Sequence, residues 1–210
     1  LPISKGEWIK KAETLRSEFT RNFELHGVTK YTFSDDTFND SLDKIKLLQD
    51  EVFGKLPFQI NFGTYLRLDL MYRFKESADI LKQSGLKSAL FGLESLNWKS
   101  ARAIGKGVDP LELLSYLKEL KQTTWQEVFT HSGFIFGLPH DTKESFDEFD
   151  SYVTSDANPL DTWEVLPSWI LPKELDAFKF NFSFLDTEYD KFGYVVSKSS
   201  KDTEIGRAHV

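Results

Sequence analysis

Apolar positions in this chain keep switching between two spacings. Trp8, Ala12, Leu15, Phe19 and Phe23 recur at helical intervals with charged residues between them, and Gly27 stops the pattern in the manner of a helix C′ glycine. Residues 28–34, VTKYTFS, then alternate towards a strand. Asp40 or Ser41 can cap a second helix, whose apolar face carries Leu42, Ile45, Leu48 and Val52. Residues 59–66 read as the next strand, and a helix with Phe74, Ala78 and Leu81 follows until Gly85. Residues 86–95, LKSALFGLES, form a short, mostly apolar run of the kind buried in a parallel sheet. Trp98 to Ile104 predicts a short helix that stops at the loop Gly105-Lys106-Gly107. Asp109-Pro110 predicts a helix start, a cap followed by proline at the first helical position, with Leu111, Leu114, Leu117 and Leu120 as the buried stripe. Residues 128–136 form another strand. Asp141 with Glu144 predicts a capping box for a helix that buries Phe146, Phe149 and Val153. Residues 163–171, WEVLPSWIL, form a last strand, interrupted by Pro167.

The order is therefore helix and strand in strict alternation, which predicts an α/β domain on a mostly parallel sheet with right-handed crossovers. An open doubly wound sheet and part of a barrel both fit this pattern. From Lys173 the sequence turns aromatic and irregular, and from Ser197 polar. The expected division is a core over residues 1–172, an irregular segment packed on it over 173–196, and a polar tail over 197–210. The last six residues, Ile205 to Val210, resemble an in-frame translation of a sequencing adaptor, so His209 is set aside.

Composition narrows the class. Hydrophobic residues at 40% against 28% charged suit one soluble domain, and 19 phenylalanines supply a sizeable core. No apolar run approaches the roughly 20 residues of a membrane span, so no membrane partner is expected. A net charge of −7 argues against a general nucleic-acid binder. There is no cysteine, so these residues hold no disulfide and no thiolate metal site.

Candidate chemistry sits where strands end, because ligands of parallel α/β folds bind beyond the carboxyl ends of the strands. Four successive ends carry polar groups: Asp35-Asp36, Arg67 with Asp69, Glu94-Ser95, and His140-Asp141. Carboxylates there can take an ammonium or ribose hydroxyls, and an arginine can fork a carboxylate. Each residue can equally be a helix cap or a loop ion pair. Gly133 and Gly137 flank a strand and allow close approach of a planar ligand or a second backbone. His26 and His131 are expected to be structural. The acidic residues Asp141, Glu144, Asp147, Glu148 and Asp150 are expected to form a solvated helix face.

Four of these segments, Phe33-Ser-Asp-Asp-Thr-Phe-Asn39, Arg67-Leu-Asp69, residues 85–95 and Gly133-Phe-Ile-Phe-Gly-Leu-Pro139, together with residues 99–107 (KSARAIGKG), resemble the ordered strand-end motifs of the radical SAM superfamily. The resemblance covers Trp8 to Leu171 and is closest to the branch that often carries a cobalamin-binding domain. It implies a partial (β/α)6 TIM-like barrel whose first strand lies upstream of Leu1, the chain being an N-terminally truncated fragment. It implies S-adenosylmethionine bound at a 4Fe–4S cluster, an electron donor such as flavodoxin or ferredoxin, a small-molecule or other substrate and a cytoplasmic, reducing setting, and it leaves open whether the parent protein uses cobalamin. Carried over by position, Asp35 and Asp36 fall where the family contacts the SAM amino group. Arg67 falls at the SAM carboxylate, Glu94 and Ser95 at the ribose or methionine part, and Gly133, Ile135 and Gly137 against the adenine.

The sequence departs from that pattern in three places. The glycines of the family's Gly-Gly-Glu stretch are absent around Asp35, and His140-Asp141-Thr142 replaces its Gly-Glu-Thr. The cysteine motif that holds the cluster is missing altogether, so the fragment is expected to be inactive by itself while its parent is an enzyme. Two other readings need no cluster. One is a barrel hydrolase or lyase using Asp35, Asp69 and Glu94 as acids and bases. The other is a non-catalytic domain. A barrel lacking its first strand also exposes an unpaired edge, which predicts dimerisation or poor solubility.

Overall fold

The computed structural model describes residues 10–170 and the pair 206–207. The expected helical contact at Trp8, and the segments 173–196 and 197–210 apart from that pair, lie outside the described residues.

Helix α1 (Ala12–His26) ends at Gly27 in the left-handed conformation, as its sequence predicts. Strand β1 (Lys30–Phe33) leads through a turn to α2 (Leu42–Glu51), capped by Ser41, whose Oγ accepts the Lys44 N–H at 3.2 Å. Strand β2 (Asn61–Leu66) follows. The single helix expected next is two short ones, α3 (Leu68–Arg73) and α4 (Glu76–Gln83). Strand β3 (Leu86–Glu94) precedes α5 (Trp98–Ala103) and α6 (Pro110–Gln122). Strand β4 (Phe129–Phe136), helix α7 (Lys143–Val153) and strand β5 (Thr162–Pro167) complete the series. A two-residue strand β6 (Trp169–Ile170) pairs antiparallel with β7 (Gly206–Arg207).

The five long strands form one wholly parallel sheet in the order β1-β2-β3-β4-β5. That order resolves the open alternative. A doubly wound sheet reverses its strand order at a switch point, whereas strands laid down in sequence wind one way, as in a barrel wall. The sheet stands as an open wall of a TIM-like α/β barrel. Its helices lie on one face: Phe19 of α1 packs on Tyr31, Trp125 after α6 stacks on Phe91, and Phe149 of α7 packs edge-on against Phe134. The core is the layer between, with Phe62, Leu66, Ala89, Phe91, Leu114, Leu117, Trp125 and Val128 nearly free of solvent. Trp125 donates its indole N–H to Ala78 O at 3.0 Å, tying α4 to the segment before β4.

Gly85 sets the entry into β3. Its φ is +103°, and a β-carbon there would stand 2.1 Å from Ile60 O. Only glycine lets the end of α4 pass this close to the chain entering β2.

Three local expectations are corrected. Leu111 is 48% exposed, and Leu113 joins Leu114, Leu117 and Leu120 in the buried stripe, because steps of three drift off one face of a helix with 3.6 residues per turn, whereas Leu113 stands one turn before Leu117. Phe74 and Phe146 are half-exposed rather than buried. The capping box of α7 is Thr142 with Ser145, whose side chains each accept the other's backbone N–H, and not Asp141 with Glu144. Asp141 is drawn instead into the strand-end loop.

Candidate functional site

All five strands run the same way, so their carboxyl ends open on one rim, and the predicted polar groups lie along it. Strand β3 ends in a tight γ-turn: the Ser95 N–H donates to Leu93 O at 2.9 Å, and Glu94 between them has φ +70°. A non-glycine residue held there is strained by roughly 1–2 kcal/mol. The turn folds the Glu94 side chain back over its own strand, so that a β-carbon on Gly92 would meet Glu94 Oε1 at 2.5 Å. Lys106 fixes the arrangement by donating to Gly92 O at 2.8 Å and standing 3.7 Å from Glu94 Oε1. The predicted loop Gly105-Lys106-Gly107 therefore supplies the counter-charge of Glu94. Ser95 is buried, and its hydroxyl accepts the Asn97 N–H at 3.0 Å.

The ends of β1 and β2 are joined by a residue that sequence reading passed over. Asn39, 3% exposed, pairs with the Arg67 backbone twice, accepting its N–H at 2.8 Å and donating to its carbonyl at 2.9 Å. Phe38 adds a backbone bond to Tyr65 O at 3.1 Å. The turn carrying Asp35 and Asp36 is thereby sewn to the turn carrying Arg67. Only the position of Asn39, at the end of the FSDDTFN run, hints at this role.

Arg67 forks Asp69 through Nε at 3.1 Å and Nη2 at 2.5 Å. Burial pushes the Asp69 carboxyl up, but the hydrogen bonds and charge of Arg67 outweigh it and hold the group below its ordinary value. Asp35 accepts from Thr37 N–H at 3.1 Å and from Lys44 Nζ at 2.8 Å. Burial raises its pKa too, and the Lys44 contacts with the Thr37 N–H override that and lower it. Both carboxylates are thus already engaged by a cation of the chain itself.

The ends of β3 and β4 are cross-linked. Asn97 donates to His140 O at 2.9 Å, and Ser100 donates to Asp141 Oδ1 at 2.6 Å. Asp141 Oδ2 accepts the N–H groups of Gly137 and Leu138 at 3.0 and 2.9 Å. Of the acidic residues expected on a solvated face, Asp141 thus stands apart as the tie between two strand ends, while Glu144, Asp147, Glu148 and Asp150 are exposed.

Two clefts lie at the rim. One, small and open, is lined by Arg67, Asp69, Gly92 and Lys106 with apolar neighbours. The other is lined by Glu94, Ser95, Asn97, Ile135, Phe136 and Asp141. The structure therefore brings Glu94, Ser95 and Ile135 together, places Arg67 in the adjoining cleft, and leaves Asp35 and Asp36 outside both. Gly133 stands in register beside Gly92, and Gly137 sits in the turn held by Asp141. Among the described residues no group of three or more His, Cys, Asp or Glu side chains is arranged to hold a metal ion. No described helix is long and apolar enough to cross a membrane.

No protein-family model matches the chain. A curated relative, the anaerobic magnesium-protoporphyrin IX monomethyl ester cyclase of Cereibacter sphaeroides, is 22% identical over 171 residues, 81% of this chain and 27% of the relative. The radical S-adenosylmethionine methyltransferase TsrM of Kitasatospora setae superposes over 78% of this chain and 31% of its own, with TM-score 0.57 and 16% identity. The cobalamin-dependent S-adenosylmethionine radical enzyme OxsB superposes over 86% of this chain and 25% of its own, again with TM-score 0.57 and 16% identity. The chain thus spans about a quarter to a third of the proteins it matches. Likeness at this level of identity assigns the fold, and the fold agrees with the strand-end resemblance.

Proposed function

Proceeding from the fold of the radical S-adenosylmethionine enzymes, we propose that this chain forms the S-adenosylmethionine-binding wall of such an enzyme. The observation that carries the reading is the strained turn at Glu94. A backbone held at φ +70°, with its carboxylate folded over a bare glycine and backed by Lys106, is the kind of local strain that persists where a side chain must be aimed. In this reading Glu94 and Ser95 receive the ribose or methionine part, and Gly133, Ile135 and Gly137 pack the adenine. Asp35, Asp36 and Arg67 flank the amino-acid end. Because Arg67 is engaged by Asp69, it holds the ligand carboxylate only by sharing its fork.

The 4Fe–4S cluster does not fit the residues present, since the chain has no cysteine to supply thiolates. No step is therefore drawn through it. In these enzymes the cofactors supply the radical that takes hydrogen from a substrate, and the protein positions and shields them. The electron donor, cobalamin and the substrate belong to the proposal only for the larger protein.

Calorimetric titration of S-adenosylmethionine into the chain tests the reading. Binding that weakens about tenfold or more in Glu94→Gln supports it. Absence of binding, or equal binding by the variant, overturns it. Under strong reductant the chain alone is expected to leave S-adenosylmethionine intact, and production of 5′-deoxyadenosine would show that the assignment of the cluster to other residues is wrong.

A further inference from the structure

The helix side of the sheet is covered unevenly. At one edge Tyr31 and Phe33 of β1 are half-buried, with Phe19 of α1 against both rings and Phe53 against Phe33. At the other edge the cover stops between β4 and β5. Ser132 and Phe134 of β4 are 0% and 2% exposed, whereas Trp163 and Val165, their partners in register on β5, are 37% and 39% exposed. Paired residues of neighbouring strands share a face, so this change within each row marks where the helical layer ends. Helix α7 accounts for it. Phe149 packs edge-on against Phe134 and Phe146 against Phe136, with ring centroids 4.9 and 4.5 Å apart, so α7 lies over β4. Phe146 is itself half-exposed and lines a cleft together with Val165. An apolar surface therefore runs through Phe146, Val165 and Trp163 on an edge strand, the kind of surface that a further element covers.

The chain itself supplies an occupant. Beyond β5, the Ser168 N–H still donates to Phe136 O at 2.7 Å, so the polypeptide leaves the sheet at the rim, beside Phe146. Residues 178–184, outside the described residues, read Phe-Lys-Phe-Asn-Phe-Ser-Phe. Phenylalanine at every second position puts all four rings on one side of an extended segment, with Lys179, Asn181 and Ser183 on the other. Seven extended residues span ~23 Å, enough to run the length of the six-residue β5. Such a run, rich in β-formers and without proline or glycine, has the composition of an aggregating strand unless its aromatic side is covered. Only residues 168–177 join it to β5. That is fewer than the dozen or so of a crossover to a new parallel strand, so the run comes back over the surface the chain has just left.

We propose that residues 178–184 dock across the helix-side face of β5, with their phenylalanine side on Trp163, Val165 and Phe146 and with Lys179, Asn181 and Ser183 in water. The segment does for β5 what α7 does for β4. This packing needs only the two apolar faces and is independent of S-adenosylmethionine binding.

Two measurements on the full chain test it. In the unmodified protein, NMR is expected to show nuclear Overhauser contacts from the Val165 methyls and the Trp163 indole to rings of Phe178, Phe180, Phe182 or Phe184. Isotope-filtered spectra of mixed labelled and unlabelled chains assign those contacts to one copy. Because the chain has no cysteine, single substitutions then read out which side is covered. The thiol of Phe182→Cys is expected to react with a maleimide about tenfold or more slowly than that of Asn181→Cys or Ser183→Cys. Adding Val165→Asp should remove that protection. Contacts within one chain, together with protection confined to the phenylalanine side, support the proposal. Contacts only between copies would give the face to a second chain and overturn it. Equal reactivity on both sides, or protection that survives Val165→Asp, overturns it as well. Should Val165→Asp fail to fold, the contacts in the unmodified protein decide alone, and their absence rejects the docking.

Discussion

Glu94 and Asn39 show how single residues hold the rim. Replacing Glu94 by glycine removes the β-carbon that makes φ +70° unfavourable, and the ion pair it gives up is partly solvated. Glu94→Gly is expected to be as stable as the parent or about 1 kcal/mol more so, while S-adenosylmethionine affinity falls. Urea midpoints read with titration check this, and a clear loss of stability would mean that the turn serves folding rather than binding. Asn39 works through the backbone. Asn39→Ala strips two hydrogen bonds from the Arg67 backbone, whose N–H loses its Asn39 acceptor while its C=O keeps the Met71 N–H at 3.3 Å. The expected cost is about 2–3 kcal/mol in urea denaturation. Asn39→Asp keeps the acceptor, loses the donor and should fall between.

Among the elements, the passage from α4 into β3 is the most constrained. Gly85→Ala sets a β-carbon against Ile60 O and asks alanine to adopt φ +103°. Neither the strand nor the helix can retreat, because α4 is anchored through Ala78 O to Trp125 and β2 is held between β1 and β3. A loss above about 3 kcal/mol is expected, seen as a collapse of the thermal transition in far-UV circular dichroism. A variant melting within a few degrees of the parent would show that the turn can reshape. Helix α7 illustrates what an element boundary hides. Asp141 and Glu144 have the spacing of a capping box, yet Asp141 binds the N–H groups of Gly137 and Leu138 and the Ser100 hydroxyl, so the cap moves one residue on to Thr142.

For the molecule as a whole, pH reports how the strands are tied. Asp161 bridges α6, β4 and β5, accepting from Lys121 Nζ at 2.7 Å, Thr130 N–H at 2.7 Å and the Thr130 hydroxyl at 2.9 Å. Burial raises its pKa, but the Lys121 and Thr130 hydrogen bonds and the Lys121 charge bring it below the ordinary 3.8. Asp35 and Asp69 are lowered in the same direction. A group depressed in the folded state binds fewer protons than in the unfolded chain. Its contribution is therefore complete above the unfolded pKa and is lost as pH falls through the folded one. Stability should hold from pH 7 to about 5 and decline below about 4. Asp161→Asn should lower the urea midpoint at neutral pH and flatten part of the acid slope. An unchanged slope in that variant would show that other carboxylates govern acid unfolding.

What could be read from the residues alone was the local grammar. Apolar spacing identified the five long strands and most helices, glycine marked the stops at Gly27 and Gly85, and strict alternation implied a parallel sheet, because each of these depends on neighbours within a few positions in the chain. The split of α3 from α4 was not visible, since two short helices share one apolar periodicity. The strand-end residues were found as a set, but their partners were not. Asn39 meets Arg67 across 28 positions, Ser100 meets Asp141 across 41, and His131 meets Thr162 across 31. Contacts at that separation are decided by strand register and loop closure, which leave no periodic trace in sequence. The sequence by itself determined an α/β wall with polar strand ends. Only the tertiary structure decided that it winds in one direction, which carboxylates are already paired, and that Glu94 folds back over Gly92.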